Sequence, residues 1–310
     1  MTENKMPSHH GVEEKKNKRY PNETLRLLCE RASCRNFSDR KIEEEILNLV
    51  LEAGIHSPTG GNLQPYSIIK IENQETKNKL AKLCGQDFIA KAPVNLLFCI
   101  DWHRIKRWAE LKVAPFTATS SFRHFWISFQ NTVIAAQNIC TGADALGLGS
   151  VYIGTIIDFI PVIIKMFELP EGVFPVVLLC LGYPSSKALS RKKLGINSIV
   201  HNEKYQDLPD SDLLGAFNEK YSGVKVDITE KRLEIIKKVC EEVHGGKFAE
   251  KCIKKIKENG HINPVQRYFG LHYVASIMPQ NNETYLKLME KAGFDWFRKY
   301  NPKNKGGKND

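Results

Sequence analysis

Two amides, Asn62 and Gln64, stand within the run Ser57-Pro-Thr-Gly-Gly-Asn-Leu-Gln-Pro-Tyr66. Pro58 and Pro65 fix φ there, Gly60 and Gly61 allow close backbone approach, and amides that both donate and accept suit the edge of a flat heterocycle. An ordinary Pro/Gly turn accounts for the prolines and glycines but does not call for both amides. Upstream, Arg31-Ala-Ser-Cys-Arg-Asn-Phe37 sets Arg31, Ser33 and Arg35 just past a helical pattern. Two guanidiniums and a hydroxyl suit a phosphate, because arginine donates in a planar fork; a basic helix end that merely favours the dipole is the plain alternative. A third run, Gly147-Leu-Gly-Ser-Val-Tyr-Ile-Gly-Thr155, reads either as glycines that bring main-chain N–H groups close to a ligand or as a helix C-cap entering a strand. The fourth, Leu181-Gly-Tyr-Pro184, is followed by Ser190-Arg-Lys-Lys193.

The elements that must position these runs follow from periodicity. Asn22 can cap a short helix bearing Leu25, Leu28 and Cys29, and a second helix from about Ile42 carries Ile46, Leu49, Val50 and Ala53, with Gly54 as its expected stop. Tyr66–Ile71, Val94–Ile100 and Phe174–Gly182 are short, β-branched and apolar, which predicts strands of a buried sheet. Helices are expected around 76–84 and 158–167. Between Ser121 and Leu146 the stripe Phe122, Trp126, Phe129, Val133, Ala136, Cys140 and Ala143 predicts a long helix, apolar on most faces and therefore central. After about residue 220 helices alone are expected: one opened by Asp227 and Glu230 and stopped by Gly245, one over 248–259, one begun by Asn263 and Pro264, and one over 282–292. The resulting organisation is a tail over 1–20, an α+β domain over 21–221 with a mixed or antiparallel sheet and a long central helix, a helical extension over 222–300, and a tail over 301–310.

The chain has 310 residues, with 42% hydrophobic and 26% charged. That is ample length for a disulfide-free core and a globular composition. No apolar run approaches the roughly 18 residues of a membrane span, and the N-terminus, with no apolar h-region, lacks the pattern of a signal or transit peptide, so the expectation is a cytoplasmic protein without a membrane anchor. The eight cysteines are scattered singly, without a CxxC pair, and read as reduced apolar side chains. His244, His261 and His272 share no ligand spacing, and no metal site is expected. The glycines of Gly142–Gly149 match neither a GxGxxG nor a Walker A loop, and there is no GxSxG elbow. The net charge of +10 favours anionic partners, small molecules as readily as nucleic acid.

Taken together and in this order, the four runs resemble the FMN-dependent nitroreductase family over roughly residues 22–205. Arg31–Phe37 is similar to that family's Arg-Arg-Ser-x-Arg-x-Phe, with Ala32 in place of an arginine. Residues 57–66 are similar to its Ser-Pro-Ser-x-x-Asn-x-Gln-Pro-Trp, and 147–154 to its Gly-Leu-Gly-Ser-x-Trp-Ile-Gly, with Tyr152 in place of tryptophan. The resemblance implies a nitroreductase-like fold that binds FMN. Arg31, Ser33 and Arg35 would meet the phosphate, joined by Arg191 and Lys193 from the later basic cluster. Pro58, Thr59, Gly60, Asn62 and Gln64 would line the ring and ribityl chain, and an amide near Ile153 or Gly154 would donate to flavin N5. It further implies a homodimer with FMN at the interface, for which the aromatic start of the long helix, Phe122–Phe129, is suited.

On that reading the chain is an NAD(P)H-dependent oxidoreductase working by ping-pong hydride transfer to a small acceptor such as a nitroaromatic, a quinone or a flavin, with NADH or NADPH as transient donor. The flavin carries the chemistry, so no catalytic side chain is required. Residues 102–121, with Trp102, Trp108 and Phe116, form the segment expected to shape the acceptor site. The alternative is a non-catalytic flavin binder or a basic nucleic-acid-binding protein. Against the latter, Lys231, Lys237, Lys238, Lys251, Lys254 and Lys257 of the extension alternate with Glu230, Glu234, Glu241, Glu242, Glu250 and Glu258, the pattern of a solvated face, and nucleic acid is not expected as a partner.

Overall fold

The structure, a computed structural model, describes residues 19–301, so nearly all of the two expected tails lies outside the described residues. Asn22 caps α1 (Glu23–Glu30) by accepting from the Leu25 N–H at 3.0 Å. Helix α2 (Glu44–Ile55) leads to β1 (Tyr66–Ile71), then α3 (Gln74–Cys84), the single turn α4 (Phe88–Lys91) and β2 (Val94–Asp101). Helix α5 (His103–Leu111) precedes the 24-residue α6 (Phe122–Ala145), capped by Ser121, and β3 (Gly149–Ile153), α7 (Ile160–Met166) and β4 (Val173–Gly182) complete the α+β part. Helices α8 (Asp210–Lys220), α9 (Glu230–His244), α10 (Gly246–Asn259), α11 (Pro264–Arg267) and α12 (Asn282–Lys291) follow.

The four strands form one sheet in the order β1-β2-β4-β3, and every neighbouring pair is antiparallel. Alternation along the strands sends side chains to opposite faces. On one face Leu97, Cys99, Val151, Ile153 and Leu178 pack with Leu80, Ile89 and Ile163 of α3, α4 and α7. On the other, Leu96, Phe98, Leu179 and Leu181 pack with Leu47 and Val50 of α2 and with Ala136, Ile139 and Cys140 of α6. Full burial of residues such as Phe98 and Leu97 stabilises the sheet by about 1.5–3 kcal/mol each. All eight cysteines are free, and burial pushes the Cys84 thiol up to about 11 and Cys99 to about 12, as befits apolar packing residues.

Several local expectations change. Gly54 does not stop α2: the helix continues to Ile55, and Gly54 is a contact glycine, since a Cβ there would fall 2.5 Å from Ile139 Cγ1 of α6. Thr229, not Asp227, caps α9 by accepting from the Arg232 N–H at 3.2 Å. The expected capping pair Asn263 and Pro264 is present, closed by Gln266 into a capping box.

Helix α6 buries Ser128, Asn131, Thr132, Ala135 and Ala136, while Phe122, Trp126, Phe129 and Val133 are exposed. The stripe read from the sequence repeats every 3.5 residues and drifts by about 20° per heptad around a 3.6-residue helix, so its first half faces out and only Ala136, Cys140 and Ala143 face the sheet. The helices after residue 220 divide in two. Around α9 and α10, Ile236, Ile256 and Ile262 form a core of their own. Residues from α12 onward return to the α+β part, where Ala292 and Phe294 pack with Ile100, Trp102 and Phe174.

Candidate functional site

Three of the four runs meet at one edge of the sheet. Residues 31–38 lie along β3 and past the end of β4: Ser33 bridges Ser150, the Cys34 N–H donates to the Ser150 carbonyl at 2.9 Å, Phe37 bridges Pro184, and the Ser38 N–H donates to the Tyr183 carbonyl at 2.8 Å. Close docking requires Gly149, whose added Cβ would fall 2.5 Å from that of Cys34. Cys34 and Phe37 are buried, while Ser33 and Arg35 are exposed on the outer side, Arg35 lying 5.9 Å from the centre of the Phe88 ring. Arg31 turns back into the protein. Its Nε reaches Asp144 at 3.1 Å and its Nη2 the Ser150 hydroxyl at 3.1 Å. Burial outweighs the Arg31 charge at Asp144 and holds that carboxyl above its usual range.

Along β3, Ser150 and Ile153 are about 10 Å apart at the strand rise. Ile153 is buried and is the last residue of the ladder, opposite Leu178. Gly154, one residue on, is exposed with φ −79°, and a Cβ placed on it would meet nothing within 4 Å. Thr155 is steadied by the Gln86 amide, which donates to its hydroxyl at 3.3 Å. The edge therefore offers Ser33 and Arg35 at one end and an open glycine at the other. Tyr152 points the opposite way, packed beneath α6 with its phenol raised by burial, so the Trp-to-Tyr departure affects the core and not this edge.

The remaining run, 57–66, lies elsewhere on the same chain. Gly61, Asn62 and Gln64 have φ of 62°, 54° and 48°. For the two amides this left-handed backbone costs on the order of 1–2 kcal/mol each. Gly60 N–H donates to Asn131 Oδ1 at 3.3 Å, Gln64 N–H to the Thr59 hydroxyl at 3.3 Å, and the Gln64 side-chain amide to the Ile55 carbonyl at 3.0 Å. Pro58 and Asn62 are exposed and Thr59 half-buried. Asn131 is only 4% exposed and its Nδ2 has no partner, as has the buried Ser57 hydroxyl. Asp144 and Asn131, which anchor Arg31 and Gly60, are about 20 Å apart along α6 at 1.5 Å per residue.

Arg191 and Lys193 lie exposed in the segment between β4 and α8, which leaves the sheet beside Asn36, where the Ser185 N–H donates to the Asn36 carbonyl at 3.0 Å. Lys192 between them pairs with Glu219 of α8 at 3.3 Å. In the 102–121 segment, Trp102 is not available to stack on a ligand: it is 3% exposed, and its indole donates to Ser128 Oγ at 3.2 Å. Trp108 is exposed and Phe116 half-buried.

Sequence reasoning passed over Asn131, Asp144 and Arg104, the side chains that brace these runs. The first two were legible as polar residues on the buried face of an otherwise apolar helix, and Arg104 as the partner of Asp101 at a strand end.

The comparisons with known proteins bear on the family and the fold. Residues 28–183 match the nitroreductase family. The chain is 31% identical over 198 residues to the oxygen-insensitive NADPH nitroreductase of Salmonella typhimurium, covering 64% of this chain and 80% of that one. It is 31% identical over 186 residues to the FMN reductase [NAD(P)H] of Bacillus subtilis, covering 59% and 75%. Among solved structures, B. megaterium NfrA2 superposes with a TM-score of 0.67 at 26% identity, covering 89% of this chain and 99% of that one. An antiparallel sheet with helices packed on both faces and a match of this extent define an oxidoreductase of this fold. The chain belongs to the nitroreductase family.

Proposed function

We propose that this protein is an FMN-dependent NAD(P)H oxidoreductase that reduces a small acceptor, a nitroaromatic, a quinone, a flavin or a related compound, in the cytoplasm. The names of its relatives, an NADPH nitroreductase and an FMN reductase, support the cofactor pair. The observation that carries the reading is the β3 edge, where the cationic 31–35 segment is docked at one end and Gly154 faces open space at the other. The residues present fit the group. Arg31, Ser33 and Arg35, with Arg191 and Lys193, would hold its phosphate, and the backbone near Ile153 and Gly154 would meet its ring. Pro58, Thr59, Gly60, Asn62 and Gln64 would edge the ring and ribityl chain. When bound, FMN would supply two-electron hydride chemistry between NAD(P)H and the acceptor, in a ping-pong order.

The chain's own part is to bind, orient and tune. Arg35 offsets negative charge on the cofactor, and Gly154 leaves room for a ring to lie against main chain. No side chain at the edge has to gain or lose a proton.

The homodimer is part of the proposal. Within one chain the anchors of the 31–35 and 57–64 segments are about 20 Å apart along α6. The exposed Phe122, Trp126, Phe129, Val133 and Ile134 of the same helix form an apolar face that a second copy would cover, bringing its 57–64 loop to the β3 edge. No observation favours nucleic acid: Lys237–Glu241, Lys238–Glu242 and Lys254–Glu258 pair along the helices at 3.7–4.0 Å. Uptake of FMN by the flavin-free chain, followed by NADPH oxidation that depends on it, tests the reading; a chain that takes up no FMN contradicts it.

A further inference from the structure

Helix α5 starts two residues after β2 ends, and its first turn faces the 57–66 loop. Arg104 sits in that turn with its guanidinium spread across the loop. Nη2 donates to the carbonyls of Gln64 at 2.7 Å and Tyr66 at 2.9 Å, and Nη1 to the Ser67 hydroxyl at 3.4 Å. Its charge is 3.7 Å from the Asp101 carboxylate, and the group lies 5.8 Å from the centre of the Trp108 ring. Asp101 completes the brace, accepting from the Ser67 hydroxyl and from the Arg104 N–H, while its own N–H donates to the Pro65 carbonyl at 2.9 Å.

The backbone held in this way is held only in part from within, where the Asn62 and Gln64 N–H groups donate to the Thr59 carbonyl and hydroxyl. Gly61, Asn62 and Gln64 are all left-handed, a conformation amide residues adopt only where their surroundings enforce it. The carbonyls of Gln64, Pro65 and Tyr66 are each taken by Arg104 or Asp101. These successive carbonyls fix the three peptide planes from Gln64 to Ser67, where the left-handed stretch runs into β1. If Arg104 served only to start α5, its donors would go to Asp101 at hydrogen-bond distance; instead the shortest go to the loop.

We propose that Arg104 is a positioning residue for the flavin: by gripping the carbonyls of Gln64 and Tyr66 it sets the left-handed loop and so the aim of Asn62 and Gln64. This rests on the FMN reading above. The fork matters, because a guanidinium spans two carbonyls in a fixed plane while an ammonium is a point charge on a flexible stem. A recess bounded by Leu63, Gln64, Arg104 and Trp108 leaves the guanidinium reachable from solvent.

The test uses the full chain with Arg104→Ala, Arg104→Lys and, as control, Arg107→Ala, an exposed cation on the same helix. In the flavin-free protein, amide hydrogen exchange over residues 59–66 accelerates about tenfold in Arg104→Ala, with β2 and α9 unchanged. In the reconstituted protein, FMN affinity by fluorescence quenching falls about tenfold, and kcat falls while KM for NADPH holds. Arg104→Lys lies between, and methylguanidinium restores FMN binding to Arg104→Ala. Should the alanine variant not fold, the lysine variant carries the same comparison. A wild type that binds FMN beside an Arg104→Ala that binds and turns over equally well overturns this assignment alone. A wild type that binds no FMN overturns the flavin reading and the aim assigned here with it.

Discussion

Arg31 and Asp144, 113 residues apart in the chain, are joined at 3.1 Å where α1 ends, α6 ends and β3 begins. The same guanidinium donates to Ser150, so its Nε and Nη2 are spent inside the protein, and an outside anion would draw on Nη1 together with Ser33 and Arg35. The pair thus fixes one end of the proposed phosphate position to two helices and a strand at once.

Replacing Arg31 with alanine leaves Asp144 half-buried without its cation, at an expected loss of about 1–3 kcal/mol at neutral pH, together with weaker FMN retention. The pH dependence follows from the raised Asp144 carboxyl. A folded-state value above the unfolded 3.8 means that folding takes up a proton, a contribution fully present below 3.8 and lost as pH rises through the folded value. Without Arg31 that value rises further, so urea melts should show a deficit that is small in acid and grows toward neutrality. Arg31→Ala/Asp144→Asn should recover most of it; equal deficits at both ends of the range would refute the pairing.

Two glycines of one run should separate packing from binding. Gly149→Ala drives a methyl into Cys34 and should destabilise the fold by about 1–3 kcal/mol. The Cβ of Gly154→Val has no protein atom within 4 Å and the residue has an ordinary φ, so stability should hold within about 0.5 kcal/mol. FMN affinity of that variant should nonetheless fall about tenfold or more, by filling the space claimed for the ring. Thermal melts and fluorimetric titration of both variants check this, and a Gly154→Val that binds FMN normally places the ring elsewhere.

At the other end of the 31–43 segment, Glu43 accepts from Arg40 at 2.7 Å and from the Tyr183 hydroxyl at 2.7 Å. Arg40, first, and Tyr183 hold its carboxyl down to about 2. A depressed acid contributes above its ordinary 4.5 and loses that contribution as pH falls toward 2. Amide exchange over 36–43 should therefore accelerate in this acid window, less so at high salt since the groups are exposed. Glu43→Gln should show the loosened state at all pH values; an unchanged acid response in that variant would exclude Glu43 as its source.

The apolar face of α6 carries the dimer proposal. Trp126 is 52% exposed and Phe129 40%. Trp126→Glu should convert a dimer to a monomer in sedimentation equilibrium and release FMN with it, leaving the helical content intact. A wild type that sediments as a monomer while holding FMN would show that one chain suffices.

Local chemistry was the legible part of this fold. Asn22, Asn263 and Gly260 cap or stop helices as their residue types require, and the apolar β-branched runs became β1, β2 and β4, because caps and two-residue alternation are settled by near neighbours. What depended on distant contacts was not legible. Gly54 reads as a helix stop from its neighbours and is a contact glycine only because Ile139 arrives from 85 positions away. The aromatic stripe of α6 reads as core, and half of it faces out because its 3.5-residue repeat drifts off the face that Ser128, Asn131, Thr132 and Ala135 bury. Helix α5 went unread between Trp102 and Ser121, and with it Arg104. The candidate site followed the same rule: motifs pointed to Ser33, Asn62 and Gly154, while Asp144, Asn131 and Arg104, legible only as polar residues, acquired their partners with the tertiary structure.

The central claim, that this chain is a flavin oxidoreductase, is tested most directly by the visible spectrum of the purified protein reconstituted with FMN and titrated anaerobically with NADPH. The account predicts bound flavin bands that bleach in a single two-electron step and return on addition of a nitroaromatic or quinone. A protein that binds no FMN, or binds it and leaves it oxidised in excess NADPH and NADH, would contradict it.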